Sequence, residues 1–370
     1  MGLSLLDISE FRNLASVKLH PVTEGFNFIY GKNGSGKTSL LEAIYYLSLG
    51  RSFRSSQLDR VIRYSASKLS IFGHIATDIA EYISQVPLGL ERHRDGKVKF
   101  RLNGEDAGSI AELASLLPVQ LMDSNCHHLL DSGPVFRRKY LDFGLFYQTK
   151  DFLRVWRHYE RALKQRNAAL RTHVPKKELD IWTNELINSA MVLDQLRCDY
   201  INMLIPVLTK AVAELLPISD LKITYQKGWE KSTDYAQILL KTIDRDYQLG
   251  YTQCGPHKAD LRILINDIPA KDILSRGQQK LFVCAMILAR GTLLQSHANT
   301  TPIYLVDDLP SELDVVSRSS LVGLLSKQKA QVFVTATEDK AWGDFSTSIP
   351  MKMFHVEHGH VSEMNASEAE

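Results

Sequence analysis

The stretch FIYGKNGSGKTSLLEAIYYL, Phe28 to Leu47, constrains the fold more than any other part of this chain. It reads as a strand, a glycine-rich loop and a helix. Gly31 to Thr38 fits G-x-x-x-x-G-K-[ST], a loop whose backbone N–H groups hold nucleotide phosphates at a helix N-terminus. The candidate nucleotide-binding set is Gly31, Lys32, Asn33, Gly34, Ser35, Gly36, Lys37, Thr38 and Ser39. Lys37 is expected to neutralise β- and γ-phosphate charge, and Thr38 to offer its hydroxyl to Mg²⁺. Such a loop serves kinases, motors, transporters and DNA-handling clamps alike, so the rest of the chain must decide its use.

At 370 residues the chain exceeds one core of ordinary size, and two lobes are expected. Hydrophobic residues make up 44% and charged residues 23%, a globular balance. No apolar run reaches the ~18 residues of a membrane span, so no membrane association is expected. The N-terminus lacks a basic n-region and a cleavage site. It matches a loose myristoylation pattern, but Leu3, Leu5 and Ile8 favour a buried first strand. The four cysteines, Cys126, Cys198, Cys254 and Cys284, are far apart and form no C-x-x-C pair. A reducing cytoplasm is therefore expected, with neither a disulfide framework nor cysteine metal ligation. A net charge of +2, from 44 basic and 42 acidic residues, leaves any nucleic-acid contact to local patches.

Residues 1–125 carry the Walker A loop and a β-rich subregion: KLSIFGHIAT, EYISQVPLGLERH and KVKFRLNGED read as successive strands, with a turn at Asn103-Gly104. Residues 126–245 read as an inserted α-helical arm lobe. Leu179, Trp182, Leu186, Ser189, Leu193, Leu196, Tyr200, Met203 and Val207 recur at steps of three and four. That stripe fits either internal packing or a partner face. THVPKKELD supplies a turn between two helices, and Pro206 is expected to kink or end the second. Residues 246–370 return to α/β character, with TPIYLVDD and QVFVTATE as buried strands. KMFHVEHGHVSE reads as a hairpin turning at Gly359, and the tail NASEAE as disordered.

Two further elements carry chemistry. In IYLVDDLPSELD, Asp307 ends an apolar strand where a carboxylate reaches a metal, and Asp308 follows where a group orienting water belongs. Lys37 and Asp308 are thus the candidate catalytic residues, and Thr38 and Asp307 the metal pair. In ILSRGQQKLFVCAMILA, Ser275 caps a helix start, with Gly277 and Gln278 in its first turn.

The order of these motifs resembles the ABC ATPase superfamily: Walker A, inserted region, LSGGQ-like signature, Walker B, and a D-loop at Ser311–Asp314. Within it the chain resembles the RecF family of bacterial replication and recombination-repair proteins. The matching blocks are LSLLDISEFRNLASVKL, GKNGSGKTSLLEAIYYLSLGRSFRS, SGPVFRRKYLD, CGPHKADLRILIND, LSRGQQK and LVDDLPSELD. DSNCHHLL departs from the family's TPExxxLL, Lys258 replaces an arginine, and Pro310 an alanine. Asp308 and Thr337 stand where transporter-type ATPases carry a glutamate and a histidine.

The resemblance implies an α/β, ABC-type ATPase head split in sequence. It implies ATP and Mg²⁺ as cofactors, weak hydrolysis, and Ser275, Gly277 and Gln278 capping the γ-phosphate held by a second copy. An ATP-dependent homodimer on double- and single-stranded DNA follows, without sequence specificity and with duplex near gaps preferred. RecR- and RecO-type mediators, recombinational repair, replication restart and the SOS response follow from the same likeness. The basic clusters RSFRSSQLDR, RDGKVKFR and FRRK are candidate phosphate contacts or solvated faces. The alternative reading is the soluble ATPase subunit of an ABC transporter. A P-loop kinase leaves LSRGQ unexplained.

Overall fold

A computed structural model of the chain describes residues 2–79, 82–308, 313–338 and 349–364. Strands and helices follow in the order β1 (Gly2–Phe11), β2 (Leu14–Leu19), β3 (Gly25–Tyr30), α1 (Lys37–Leu49), β4 (Lys68–Ile79), β5 (Tyr82–His93), β6 (Val98–Leu102), β7 (Glu105–Asp106), α2 (Ile110–Leu116) and β8 (Val119–Met122). Next come α3 (His128–Asp131), α4 (Pro134–Gln148), α5 (Phe152–Arg171), α6 (Lys176–Leu215), β9 (Leu221–Gln226), α7 (Tyr235–Leu249), β10 (Asp260–Ile265), β11 (Ile268–Pro269) and α8 (Ala270–Ile273). The chain closes with α9 (Arg276–Ala298), β12 (Ile303–Val306), α10 (Val315–Lys327), β13 (Gln331–Ala336), β14 (Met351–Glu357) and β15 (His360–Met364).

Two compact units result: Met1–Cys126 with Lys280–Glu370, and His127–Gln279. The first is built on two sheets. One is antiparallel, in the order β2-β1-β4-β5-β6-β7, and contains the strands expected before residue 125. Asn103 and Gly104 both have positive φ, 53° and 83°, as the tight β6–β7 turn requires. The other sheet runs β15-β14-β3-β13-β12-β8, parallel from β14 to β8, with β15 closing the edge as a hairpin. β3, β12 and β13 are buried along nearly their whole length and mostly apolar, as strands covered on both faces must be, with Asn27, Gln331 and Thr335 as buried polar exceptions.

α1 lies within the one core that both sheets share. Leu40, Ile44 and Leu47 pack in the same cluster as Leu6, Ile8 and Ile71 of the antiparallel sheet and Leu305, Phe333 and Phe354 of the parallel one. A helix covered all round needs apolar residues all round, and Leu40, Leu41, Ala43, Ile44 and Leu47 are fully buried. That packing holds the loop before α1 at the C-terminal ends of β3 and β12. Among the described residues only α9 has the length and apolar content of a membrane span, and most of that stretch is buried inside the protein.

The second unit corrects two expectations. The boundary expected at 245/246 lies instead at Gln279, inside α9. The reason is strand pairing: β10 pairs with β9 along its whole length, from Asp260↔Gln226 to Ile265↔Leu221. Residues 246–279, including Ser275, Gly277 and Gln278, therefore fold with the insert, which is α/β rather than purely helical. Pro206 does not end its helix, since α6 runs 40 residues through it. The apolar stripe is largely internal: Leu179, Leu186, Leu193 and Tyr200 are buried and Trp182, Leu196, Met203 and Val207 half-buried, with Ile201, Leu204 and Leu208 widening the face. Ser189 fits there because its hydroxyl donates to Glu185 O at 2.7 Å within the same helix. The tail from Asn365 and residues Ser311 and Glu312 of the D-loop candidate lie outside the described residues. The described part of that motif has a local role: the Asp314 carboxylate caps α10, accepting from Ser317 N at 2.9 Å.

Candidate nucleotide-binding site

The loop between β3 and α1 needs glycine where its backbone turns. Gly31 and Gly36 have φ of 152° and 125°. A Cβ at Gly31 would stand 2.2 Å from Val356 O, and one at Gly36 2.9 Å from Asn13 Nδ2. The loop is braced from outside by the Ser35 carbonyl, which accepts from Gly359 N at 2.8 Å and from Asn13 Nδ2 at 3.0 Å. Ser39 Oγ donates to Asn13 Oδ1 at 2.9 Å, so one asparagine ties the loop to the first turn of α1.

Lys37 is buried, and its Nζ donates to Gly31 O at 2.6 Å and Lys32 O at 3.1 Å. Burial pulls its pKa below the ordinary lysine range, opposed by the Asp308 and Asp307 carboxylates. Thr38 Oγ1 donates to Asp307 Oδ1 at 3.0 Å. Thr335, from β13 between β3 and β12, donates to the same oxygen at 2.8 Å and accepts from Asp308 N at 2.9 Å. Burial raises the Asp307 pKa, opposed by these two hydroxyl donors. Asp308 itself sits at φ 51°, a left-handed turn at the end of β12.

These groups meet in a cavity of about 570 Å³ lined by Asn33, Gly34, Gly36, Lys37, Thr38, Ser39 and Asp308. Gly31, Lys32 and Ser35 support it through their carbonyls, and Asp307 stands behind Thr38. The chemistry of the set fits a nucleotide phosphate with a hard divalent cation. It offers an ammonium, a helix N-terminus, a hydroxyl and a carboxylate.

Arg54 and Arg60 of the RSFRSSQLDR cluster line the same cavity, as do Arg12 and Tyr64, which sequence reasoning passed over. Arg12 is held in a fork, its Nε and Nη2 donating to Glu42 at 2.9 and 2.6 Å, while Nη1 donates to Arg60 O at 2.6 Å. Glu42 is fully buried in α1. An acid inside an otherwise apolar helix face was the sequence signal for a buried cationic partner. Tyr64 is 99% exposed at the rim, and no sequence signal marks it.

Ser275, Gly277 and Gln278 belong to the other unit and form a capping box. Gln278 N donates to Ser275 Oγ at 3.3 Å, and Ser275 N donates to Gln278 Oε1 at 3.0 Å. A Cβ at Gly277 would meet nothing within 4 Å, so this helix start faces open space. Of the basic clusters, FRRK loses two cations to internal work. Arg137 forms an ion pair with Asp260 at 2.7 Å, and Arg138 donates to Ala259 O at 2.8 Å. Arg94 of RDGKVKFR likewise donates to Ala66 O, Arg63 O and Asp59.

Comparison with known proteins gives the family. The model of the RecF/RecN/SMC N-terminal domain matches residues 2–362. The DNA replication and repair protein RecF of Shewanella piezotolerans is 44% identical over 98% of this chain and 99% of its own. That of Shewanella frigidimarina is 42% identical over the same shares. Among solved structures, the recombination mediator protein RecF–ATP of the RecFOR pathway matches with a TM-score of 0.86 and 26% identity over 98% of both chains. An Smc head bound to the C-winged helix domain of ScpA shares the fold, with a TM-score of 0.60 at 15% identity over 100% of this chain and 99% of that one. The chain belongs to the RecF family, within the RecF/RecN/SMC proteins.

Proposed function

We propose that this protein is an ATP-dependent DNA-binding protein of replication and recombinational repair, acting in the cytoplasm. One observation carries the reading most directly. Thr38 from the loop and Asp307, the residue after β12, share a hydrogen bond of 3.0 Å at the cavity that Lys37, Thr38 and Asp308 line. Two motifs distant in sequence converge as a phosphate-and-cation site requires. The names of the relatives, and the ATP in the RecF structure that this chain matches, support the biological assignment.

In this reading Lys37 and the loop N–H groups hold the phosphates, and Thr38 and Asp307 hold Mg²⁺. Bound Mg²⁺–ATP supplies a cleavable anhydride with its charge partly neutralised. Asp308 is the group placed to orient the attacking water, and hydrolysis is slow. Ser275, Gly277 and Gln278 cap the nucleotide of a second copy, which makes an ATP-dependent homodimer on DNA. Duplex near single-strand gaps, RecR- and RecO-type mediators and the SOS response complete the proposal by family likeness.

The decisive experiment measures binding to duplex, gapped and single-stranded DNA with ATP, with ADP and without nucleotide, at several salt concentrations. Tighter binding with ATP, falling linearly in log–log form as salt rises, is the expected result. Binding indifferent to nucleotide would reject it.

A further inference from the structure

The second unit begins with HHLLD, residues 127–131, which brings metal-ligating groups together. His127, His128 and Asp131 each offer one ligand atom, all within 4.8 Å of one another. The spacing follows from the helical turn. Asp131 stands four residues after His127 and three after His128, so both imidazoles lie beside its carboxylate. His127 Nε2 is 3.8 Å from Asp131 Oδ2, and His128 Nδ1 is 3.2 Å from Oδ1. Bonds of about 2.0–2.1 Å to a tetrahedral ion separate neighbouring ligand atoms by about 3.4 Å. Small rotamer changes therefore suffice, and His128 is exposed enough to make them.

The same carboxylate has another partner. Arg276 Nη1 lies 3.0 Å from Asp131 Oδ2, the oxygen nearest His127 Nε2. Arg276 sits between Ser275 and Gly277 at the start of α9, and its side chain is 71% exposed. A cation at the histidines and the Arg276 guanidinium would thus compete for one oxygen.

We propose that His127, His128 and Asp131 bind a late first-row divalent cation, with Zn²⁺ the reference case, and that this binding excludes the Arg276–Asp131 ion pair. Two imidazoles and a carboxylate suit Zn²⁺, Co²⁺ or Ni²⁺, whereas Mg²⁺ and Ca²⁺ want all-oxygen shells. Three protein ligands leave a position for water. Linkage makes the competition reciprocal: whatever holds Arg276 elsewhere strengthens cation binding, and the cation frees Arg276 beside the capping box. The consequence for ATP-driven pairing of two copies rests on the function proposed above. The binding itself does not.

The test titrates Zn²⁺ by calorimetry, and Co²⁺ by its visible absorption, into the purified full chain without nucleotide, Mg²⁺ or DNA. One saturable equivalent, removed by a chelator, is expected. The double variant His127→Ala, His128→Ala should bind at least about tenfold more weakly. Arg276→Gln should bind about two- to fivefold more tightly, the size of an exposed ion pair removed from competition. His128 and Arg276 are exposed and His127 is mostly covered, so the melting temperature of Arg276→Gln should match the parent's and that of the double variant should fall only slightly. Absence of saturable binding, or a double variant that binds like the parent, overturns the site. Unchanged affinity in Arg276→Gln overturns the competition. Since no nucleotide or DNA is present, neither result depends on the clamp.

Discussion

Asp307 shows how a single residue is prepared for a cation. Its carboxylate is held by two hydroxyl donors in a buried position that favours the neutral acid. Burial and the adjacent Asp308 resist the charge that Thr335 and Thr38 invite, and a divalent ion would settle that conflict. Lys37 meets the opposite environment, an ammonium whose burial is offset by loop carbonyls and by the two aspartates. Lys37→Met should lower ATP affinity by ~10- to 100-fold, the range of a charge-assisted hydrogen bond, because a thioether cannot neutralise phosphate. Its melting temperature without nucleotide should stay near the parent's, and a nucleotide-binding titration checks both halves. Asp308→Asn should keep ATP binding while turnover falls about 100-fold or more. Single-turnover kinetics separate these effects, and unchanged turnover would move the water-orienting role elsewhere. The residues from Gly31 to Ser39 were legible because their work is contiguous in sequence. Thr335, Arg12 and Asn13 were not, since they reach the site only after the sheets assemble.

At the scale of elements, the sequence pattern located strands and helices well and their allegiance less well. The turns at Asn103-Gly104 and Gly359 are local signals and lie where expected, and the α6 stripe, equally local, is resolved by the structure in favour of internal packing. The allegiance of residues 246–279 is not local. It depends on β10 pairing with β9 and on the loop at His257, which Tyr159 of α5 holds from far along the chain. That loop sets a pH dependence. His257 Nε2 lies 3.1 Å from Thr252 O and must donate to it, so Nδ1 accepts from the Tyr159 hydroxyl at 2.7 Å. Burial lowers the ring's pKa from 6.5 to about 4, helped by Lys258, Arg138 and Arg166, which keeps it neutral at pH 7 and consistent with that pattern. A depressed folded pKa means that the unfolded chain binds the proton first. The contribution is full above pH 6.5 and is lost as the pH falls toward about 4. Its size is on the order of 3 kcal/mol. Melting curves of the parent and His257→Gln between pH 7 and pH 4.5 check it: the parent's melting temperature should fall more steeply than the variant's. Parallel curves would mean that the imidazole titrates normally.

For the whole molecule, the proposed pairing of two copies rests on a contact that ATP offers and ADP does not. Lys37 and Thr38 sit in a cavity of the first unit, while Ser275 and Gly277 begin a helix of the second, with open space around Gly277. A helix N-terminus favours an anion, and the γ-phosphate is the group that ATP presents and ADP lacks. Only a contact that differs between nucleotides can shift an association equilibrium, so the signature turn of one copy on the phosphate of another is the contact to break. Ser275→Arg places a long cation at that helix start. It also removes one half of the capping box, which costs about 1 kcal/mol and should appear as a small drop in melting temperature. ATP binding to the isolated chain should remain near the parent's, since the Lys37 cavity is untouched. ATP-dependent dimerisation, turnover and tight DNA binding should all be lost together. Sizing of the parent and the variant with ATP, ADP and no nucleotide reads the first of these directly. A parent that stays monomeric with ATP and DNA present, or a variant that pairs as the parent does, would remove the basis for a nucleotide-gated clamp.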